Sequence, residues 1–173
     1  MNTLETERLL IRPLTASDAE FILELLNEPS FIQNIGDRGV RTLSDAEKYI
    51  DNGPVASYAR NGFGLCLVIL KEFGESIGMC GLIKREALED VDIGYAYLPR
   101  FWSKGYALEA ALAVRKYAHE VVGLKRIVAI VDPQNQGSIR VLEKLGMQFE
   151  TMIRLSQDDI DLKLFALKLQ SAA

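Results

Sequence analysis

Residues 90–147 narrow most sharply what this chain can fold into, because strand and helix signals alternate there with only short joins. Residues 91–98 (V-D-I-G-Y-A-Y-L) form an apolar, Tyr-rich run of strand type. The run stops at Pro99, and Gly105 opens a helix shortly after. Along that helix Ala107, Ala110, Ala111, Val114, Ala118 and Val121 fall at i, i+3, i+4, i+7, i+11 and i+14, a single apolar stripe. Gly123 stands just beyond, where a left-handed cap would end the helix. Arg126–Val131 (R-I-V-A-I-V) reads as a second buried strand stopped by Asp132-Pro133, and a further helix follows Asn135 and closes at Gly146. Strand, helix and strand within about forty residues predict a parallel pair with a right-handed crossover.

The join between the first strand and its helix is Trp102-Ser103-Lys104-Gly105-Tyr106-Ala107. A helix N-terminus leaves backbone N–H groups without partners and carries roughly half a positive charge. The small residues Gly105 and Ala107 let an anion come down onto those donors, and Lys104 adds a full charge. That composition suits phosphate or pyrophosphate. A plain turn is the competing reading of these six residues.

The wider pattern resembles the GNAT N-acetyltransferases, which use acetyl-CoA, and within them the RimJ/RimL-like branch of protein N-terminal acetyltransferases. The family's coenzyme A loop is written Q/R-x-x-G-x-G/A; Gly105 and Ala107 match its small positions, and Trp102 replaces the Gln or Arg. In the RimJ/RimL-like branch an aromatic is common there, as in W-G-K-G-Y-A-x-E-A; this chain has W-S-K-G-Y-A-L-E-A. Further matches are I-G-Y-A-Y-L-P, N-Q-G-S-I-R-V-L-E-K-L-G-M and the opening T-E-R-L-L-I-R-P-L, in the expected order over nearly the whole chain. The resemblance implies the GNAT acyl-CoA acyltransferase fold: an α/β domain with a central mixed, mostly antiparallel twisted sheet, one parallel pair splayed for acetyl-CoA, and helices on both faces.

The chain's 173 residues are one domain's worth, long enough for a proper core, so a single domain over residues 1–173 is expected. Apolar residues make up 49% and charged residues 25%, which leaves no case for disorder. A net charge of -4 disfavours general nucleic-acid binding, which leans on neutralising phosphates. No apolar run approaches a membrane span, and no basic-then-apolar leader is present, so a cytoplasmic protein is expected.

In the N-terminal half, residues 9–14 read as a short strand. Thr15 with Asp18, or Ser17 with Glu20, then starts a helix with Phe21, Ile22, Leu25 and Leu26 on its apolar face, ended by Asn27-Glu28-Pro29. Residues 30–43 read as a turn-rich loop, and Ser44 with Glu47 as the cap of another helix, interrupted or ended by Asn52-Gly53-Pro54. Residues 63–70 and 76–84 read as two strands; pairing Leu70 with Ser76 would set Cys66 opposite Cys80, as two buried thiols and not a disulfide scaffold. Residues 147–154 and 162–169 give two more strands, separated by Gln157-Asp158-Asp159.

Acetyl transfer to an amine needs a neutral amine, a held oxyanion and a protonated or stabilised leaving thiolate. An α-amine of pKa about 7.7–8.0 is roughly a tenth neutral at pH 7, whereas a lysine near 10.4 needs a stronger base or desolvation. Asp92 is the first candidate base, since the family often carries an acid just before its I-G-Y. Asp90 shares its strand face, and repulsion between the two carboxylates would raise one pKa. Glu109 is the second candidate, although it also suits a helix-dipole partner.

By resemblance, a backbone N–H near Tyr95 or Ala96 meets the oxyanion at a strand bulge, with Gly94 as the permissive residue. Tyr95, Ala96 and Tyr97 line the coenzyme, with Ser103, Lys104, Gly105, Tyr106 and Ala107 at its pyrophosphate. Asn135 bonds the pantetheine, and Ser138 lies near its sulfur as the candidate acid; helix capping is the alternative for both. Trp102 packs beneath the loop. Phe31, Asp37, Arg38 and Arg41 are candidate acceptor contacts, a solvated loop with an Asp–Arg pair being the alternative. His119, the only histidine, lies late in its helix and reads as a surface or dipole residue.

The expected activity is acetyl transfer from acetyl-CoA to a primary amine, with a protein N-terminus as the favoured acceptor and no metal. A small-molecule amine (polyamine, amino acid or antibiotic) and a non-catalytic sensor of coenzyme A are the alternatives. An RNA- or ribosome-binding module is disfavoured by the net charge. The chain is expected as a monomer or homodimer.

Overall fold

The computed structural model describes residues 2–157 and 159–169. Asp158, in the expected turn between the last two strands, lies outside the described residues. Eight strands form one sheet: β1 (Leu4–Glu5), β2 (Leu9–Pro13), β3 (Leu65–Leu70), β4 (Glu75–Ile83), β5 (Asp92–Tyr97), β6 (Arg126–Val131), β7 (Gln148–Ile153) and β8 (Leu162–Lys168). Their order is β1-β2-β3-β4-β5-β6-β8-β7, antiparallel throughout except for the β5/β6 pair. The α-helices among the described residues are α1 (Ala19–Asn27), α2 (Pro29–Asn34), α3 (Leu43–Ile50), α4 (Ala56–Asn61), α5 (Tyr106–Glu120) and α6 (Gln136–Lys144).

In β4, residues 77–82 are buried one after another, as are residues 127–129 of β6. Successive strand side chains point to opposite faces, so both faces of the sheet are covered. α5 supplies one cover with Ala110, Ala111, Val114 and Ala118, the stripe read from the sequence, together with Tyr117. Val121 is 63% exposed and falls outside that stripe, because the helix ends at Glu120. Gly123 takes the left-handed conformation, and Leu124 N–H closes on the Ala118 carbonyl at 2.9 Å.

Cys66 does lie opposite Cys80, both buried, but by a different register from the expected one. Leu70 pairs with Glu75 and Ile69 with Ser76; an extra residue between Ser76 and Gly78 restores the alignment. Burial pushes the pKa of both thiols up, which keeps them as inert hydrophobes.

The first half departs more from its sequence reading. Thr15 N–H donates to the Asp18 carboxylate at 2.9 Å, which decides between the two start signals of α1. Pro29 starts the short helix α2 inside what reads as loop, since proline suits the first helical position. The cap of α3 is Thr42 with Asp45, not Ser44 with Glu47: Asp45 N–H donates to Thr42 Oγ1 at 3.1 Å and Thr42 N–H to Asp45 Oδ2 at 3.0 Å. The backbone then continues through a wide turn over Asp51–Val55, where Pro54 removes a helical donor, and resumes as α4 until left-handed Gly62.

Candidate active site

Asp92 begins β5 at the register pair with Val128, the single point where β5 and β6 meet among the described residues. Beyond it the two strands part. Asp92 is 1% exposed, and its Oδ2 accepts from Arg85 Nε at 2.7 Å. Its Oδ1 is buried without a hydrogen-bond partner of normal geometry. Burial pushes the carboxyl up to about 6, against the pull of Arg85 and the weaker pull of the Ile130 N–H. The cause is therefore not the repulsion expected from Asp90. That carboxylate is held at 2.8 Å by Arg126, which also binds Glu150 at 2.6 Å.

On the neighbouring stretch, Tyr95 crosses the opening to α6. Its hydroxyl lies 2.9 Å from Ser138 Oγ and 3.2 Å from the Ser138 carbonyl. One proton cannot serve both contacts fully. When Tyr95 donates to Oγ, the Ser138 proton is free to point elsewhere; when Tyr95 donates to the carbonyl, Ser138 donates to Tyr95. Asn135 Oδ1 accepts from Ser138 N–H at 3.1 Å, so it does cap α6, while its side-chain NH₂ makes no bond among the described residues.

The splay does not come from a bulge. The β4/β5 register runs unbroken from Gly78–Tyr97 to Ile83–Asp92. Gly94 has a different reason: a Cβ there would sit 2.8 Å from the Ile83 side chain. Leu98 gives its N–H to Ile77 on β4 at 3.1 Å, so strand alternation turns the backbone groups of Tyr95 toward β6. With β6 diverging, the Tyr95 N–H faces the gap. Tyr97 belongs to the core instead: its hydroxyl is buried against the Cys80 thiol, and its carbonyl accepts from the Trp102 indole at 2.8 Å. Trp102 is 48% exposed and does not pack beneath the loop.

The loop before α5 has the form of an anion cradle. Ser103 and Gly105 both have positive φ, 58° and 83°. Among the described residues no hydrogen bond is donated by the backbone N–H groups of residues 103–108, and Ser103, Lys104 and Gly105 are exposed. A brace absent from the sequence reading holds this loop. Arg8 donates to the Lys104 carbonyl at 3.0 Å and to Glu109 at 2.7 Å, with its guanidinium 4.5 Å above the Tyr106 ring. Thr6 hydroxyl (2.6 Å) and Arg8 N–H (2.9 Å) complete the set on Glu109. Burial works to raise the Glu109 pKa, but these hydrogen bonds outweigh it and hold it low. Glu109 is thus committed to bracing the loop. The T-E-R opening and the E of Y-A-L-E-A carry the two halves of this contact, about a hundred residues apart, so spacing alone does not expose it.

The proposed acceptor contacts divide. Phe31 is buried on α2 and serves the core. Asp37 and Arg41 clasp each other at 2.5 Å, with Arg41 also bonded to Asn27 at 3.0 Å. Arg38 instead borders an open surface depression with Gly39, Val40, Asp45, Lys48 and Tyr49. His119 sits in the last turn of α5, with Nδ1 3.3 Å from the Leu124 carbonyl.

Comparison with known proteins identifies the family to which the chain belongs. The uncharacterized N-acetyltransferase p20 of Bacillus licheniformis is 32% identical over 158 residues, spanning 89% of this chain and 86% of that protein. The crystal structure of an acetyltransferase from Agrobacterium tumefaciens is similar at a TM-score of 0.82 and 28% identity, covering 98% of this chain and 95% of that one. A RimL ribosomal-protein α-N-acetyltransferase solved with coenzyme A shares the fold at a TM-score of 0.83 and 18% identity, covering 97% and 98%. Residues 8–148 match the acetyltransferase (GNAT) domain, and the chain belongs to the GNAT acetyltransferase family.

Proposed function

We propose that this GNAT acetyltransferase moves an acetyl group from acetyl-CoA to the α-amine of a protein N-terminus. The observation that carries this reading is Asp92, a buried carboxyl raised to about 6 where β5 and β6 part. Accepting a proton from an α-ammonium of pKa about 7.7–8.0 is uphill by about two units, roughly 2–3 kcal/mol. From a lysine near 10.4 the gap is over four units, about 6 kcal/mol, which this carboxylate alone does not cover. The fold shared with RimL, a ribosomal-protein α-N-acetyltransferase, supports the same acceptor class.

The coenzyme supplies the acetyl group as a thioester. Asp92 takes a proton from the acceptor ammonium, directly or through water, and frees the nitrogen lone pair for the new C–N bond. The Tyr95 N–H meets the charge that develops on the carbonyl oxygen. As the C–S bond breaks, the Ser138–Tyr95 pair gives a proton to the departing sulfur and regains one, the second proton that the attacking nitrogen sheds as it becomes the neutral amide. The open amides of residues 103–108 would hold the pyrophosphate, and the Asn135 NH₂ would donate to the pantetheine.

The test pairs peptides with free and blocked N-termini, each with and without an internal lysine, and follows thiol release from acetyl-CoA. Release only with free N-termini is expected. Release that follows the lysine instead would overturn the acceptor assignment. Coenzyme binding without turnover of any amine would convert the chain into a sensor.

A further inference from the structure

We infer that Arg85 is a positioning residue for the acetyl transfer: it holds Asp92 by one carboxylate oxygen and leaves the other as the atom that receives the proton of the amine. This rests on the reading of Asp92 as the base and deepens it. Arg85 Nε donates to Asp92 Oδ2 at 2.7 Å, while Oδ1, in a carboxylate only 1% exposed, has no partner of normal geometry. An arginine that serves only to neutralise a buried carboxylate engages both oxygens with its planar fork, as Arg12 does on Asp18. Arg85 binds from the side through Nε, and its guanidinium makes no other hydrogen bond among the described residues. Such a contact fixes where the carboxylate sits without occupying the oxygen that the reaction needs.

The local chain is built to keep Arg85 in place. It lies on the connection of residues 84–91 between β4 and β5, and the Ile83–Asp92 pair closes the two strands at its base. Lys84 Nζ donates to the carbonyls of Leu88 and Glu89 at 3.2 and 2.6 Å, and Leu88 N–H donates to the Arg85 carbonyl at 3.3 Å. The connection is thereby folded back on itself, with Arg85 directed at the carboxylate that follows it. The arginine side chain is 26% exposed, so it is the wetter half of the pair.

Other groups facing the pair add no full charge to it. From β6 the Ile130 N–H leans on Asp92, on β5 the Tyr95 hydroxyl feels its charge, and from α3 the Tyr49 hydroxyl feels Arg38 and Arg85. Burial pushes both phenols up, which keeps them neutral. Asp90 and Glu150 are paired with Arg126. Among the described residues Arg85 makes the one ion pair of Asp92, and a cation in contact favours the ionised, proton-accepting carboxylate.

The experiment follows kcat/KM against pH for an N-terminal peptide with acetyl-CoA in the parent, Arg85→Gln, Arg85→Lys and Asp92→Asn, with coenzyme Kd from titration calorimetry. Without the cation Asp92 holds its proton more tightly, so the acid limb should rise by about one pH unit or more in Arg85→Gln. It should return toward the parent position in Arg85→Lys, which keeps the charge. Above the limb both variants should stay about tenfold below the parent in kcat, because neither retains the Nε contact that orients the carboxylate. The coenzyme Kd should not change. A residue that merely stabilised the connection would lower the active fraction and leave the limb where it is.

A limb unmoved in Arg85→Gln but abolished in Asp92→Asn overturns this inference and leaves Asp92 as the base. A limb that survives in Asp92→Asn overturns both. Arg85→Met, which keeps the aliphatic stem, replaces the glutamine variant if that chain does not fold. If turnover is too slow to profile, NMR of the isotopically labelled Asp92 carboxyl reads the same shift: titration at higher pH than in the parent supports the inference, and unchanged titration overturns it.

Discussion

Asp18 and Asp92 are both buried carboxylates facing one arginine, yet they are built to opposite ends. Asp18 takes Arg12 through both oxygens, at 2.7 and 2.8 Å, and adds the Thr15 N–H at 2.9 Å. Burial works to raise its pKa, but those bonds outweigh it and hold the group below the ordinary carboxylate range. Asp92 takes Arg85 through one oxygen only and leaves the other without a proper partner. There burial wins, and the carboxyl rises to about 6. A saturated carboxylate fixes a helix start, whereas an under-satisfied one keeps proton affinity in reserve, at a cost to stability.

The largest expected contrast comes from removing each charge. Asp92→Asn should lower kcat by about a hundredfold or more, with coenzyme affinity within about twofold of the parent. Asp18→Asn should do the reverse, costing about 3 kcal/mol of unfolding free energy by breaking a buried pair while the folded fraction keeps its turnover. Denaturant melts and steady-state kinetics on both variants check this.

The pH dependence of stability should also run in opposite directions. Asp92 binds its proton more tightly folded than unfolded, so its contribution is present below about pH 4 and lost as pH rises through about 6. The loss is on the order of 2–3 kcal/mol. Asp18, with a lowered folded pKa, contributes stability above its unfolded value that disappears as pH falls through the folded one. Melts from pH 3 to 8 should therefore show Asp92→Asn gaining on the parent as pH rises, and Asp18→Asn losing.

Glu109 is a third carboxylate and extends the comparison to the coenzyme loop. Glu109→Gln weakens the contact with Arg8 and should raise the coenzyme Kd about three- to tenfold with kcat little changed. Smaller still, Ser138→Ala should reduce kcat by several-fold to about tenfold. Tyr95→Phe should reduce it less, because Ser138 keeps its own proton. Titration calorimetry and turnover assays separate these effects.

Asp92 was singled out by resemblance, as an acid just before I-G-Y, and the parallel pair was legible because helix and strand periods alternate cleanly around it. What makes Asp92 basic was not. Arg85 reaches it across the β4–β5 connection, and burial comes from packing that no local pattern shows. The cysteine pair came out opposite one another although the assumed register was off by one residue at the hairpin, since the irregularity before Gly78 compensates. The core position of Phe31 was not legible because a six-residue helix opened by Pro29 leaves too little periodicity to detect. Arg8 escaped because its partners Lys104 and Glu109 lie in another part of the chain.

The most direct test of the account is the pH dependence of kcat/KM for an N-terminal peptide acceptor, measured on the parent and on Asp92→Asn. The parent should lose activity below an acid limb near pH 6, on top of the limb set by the amine, and Asp92→Asn should lack that acid limb in its residual rate. A limb near pH 6 that persists in Asp92→Asn, or a parent profile governed by the amine alone, would contradict the assignment of Asp92 as the base.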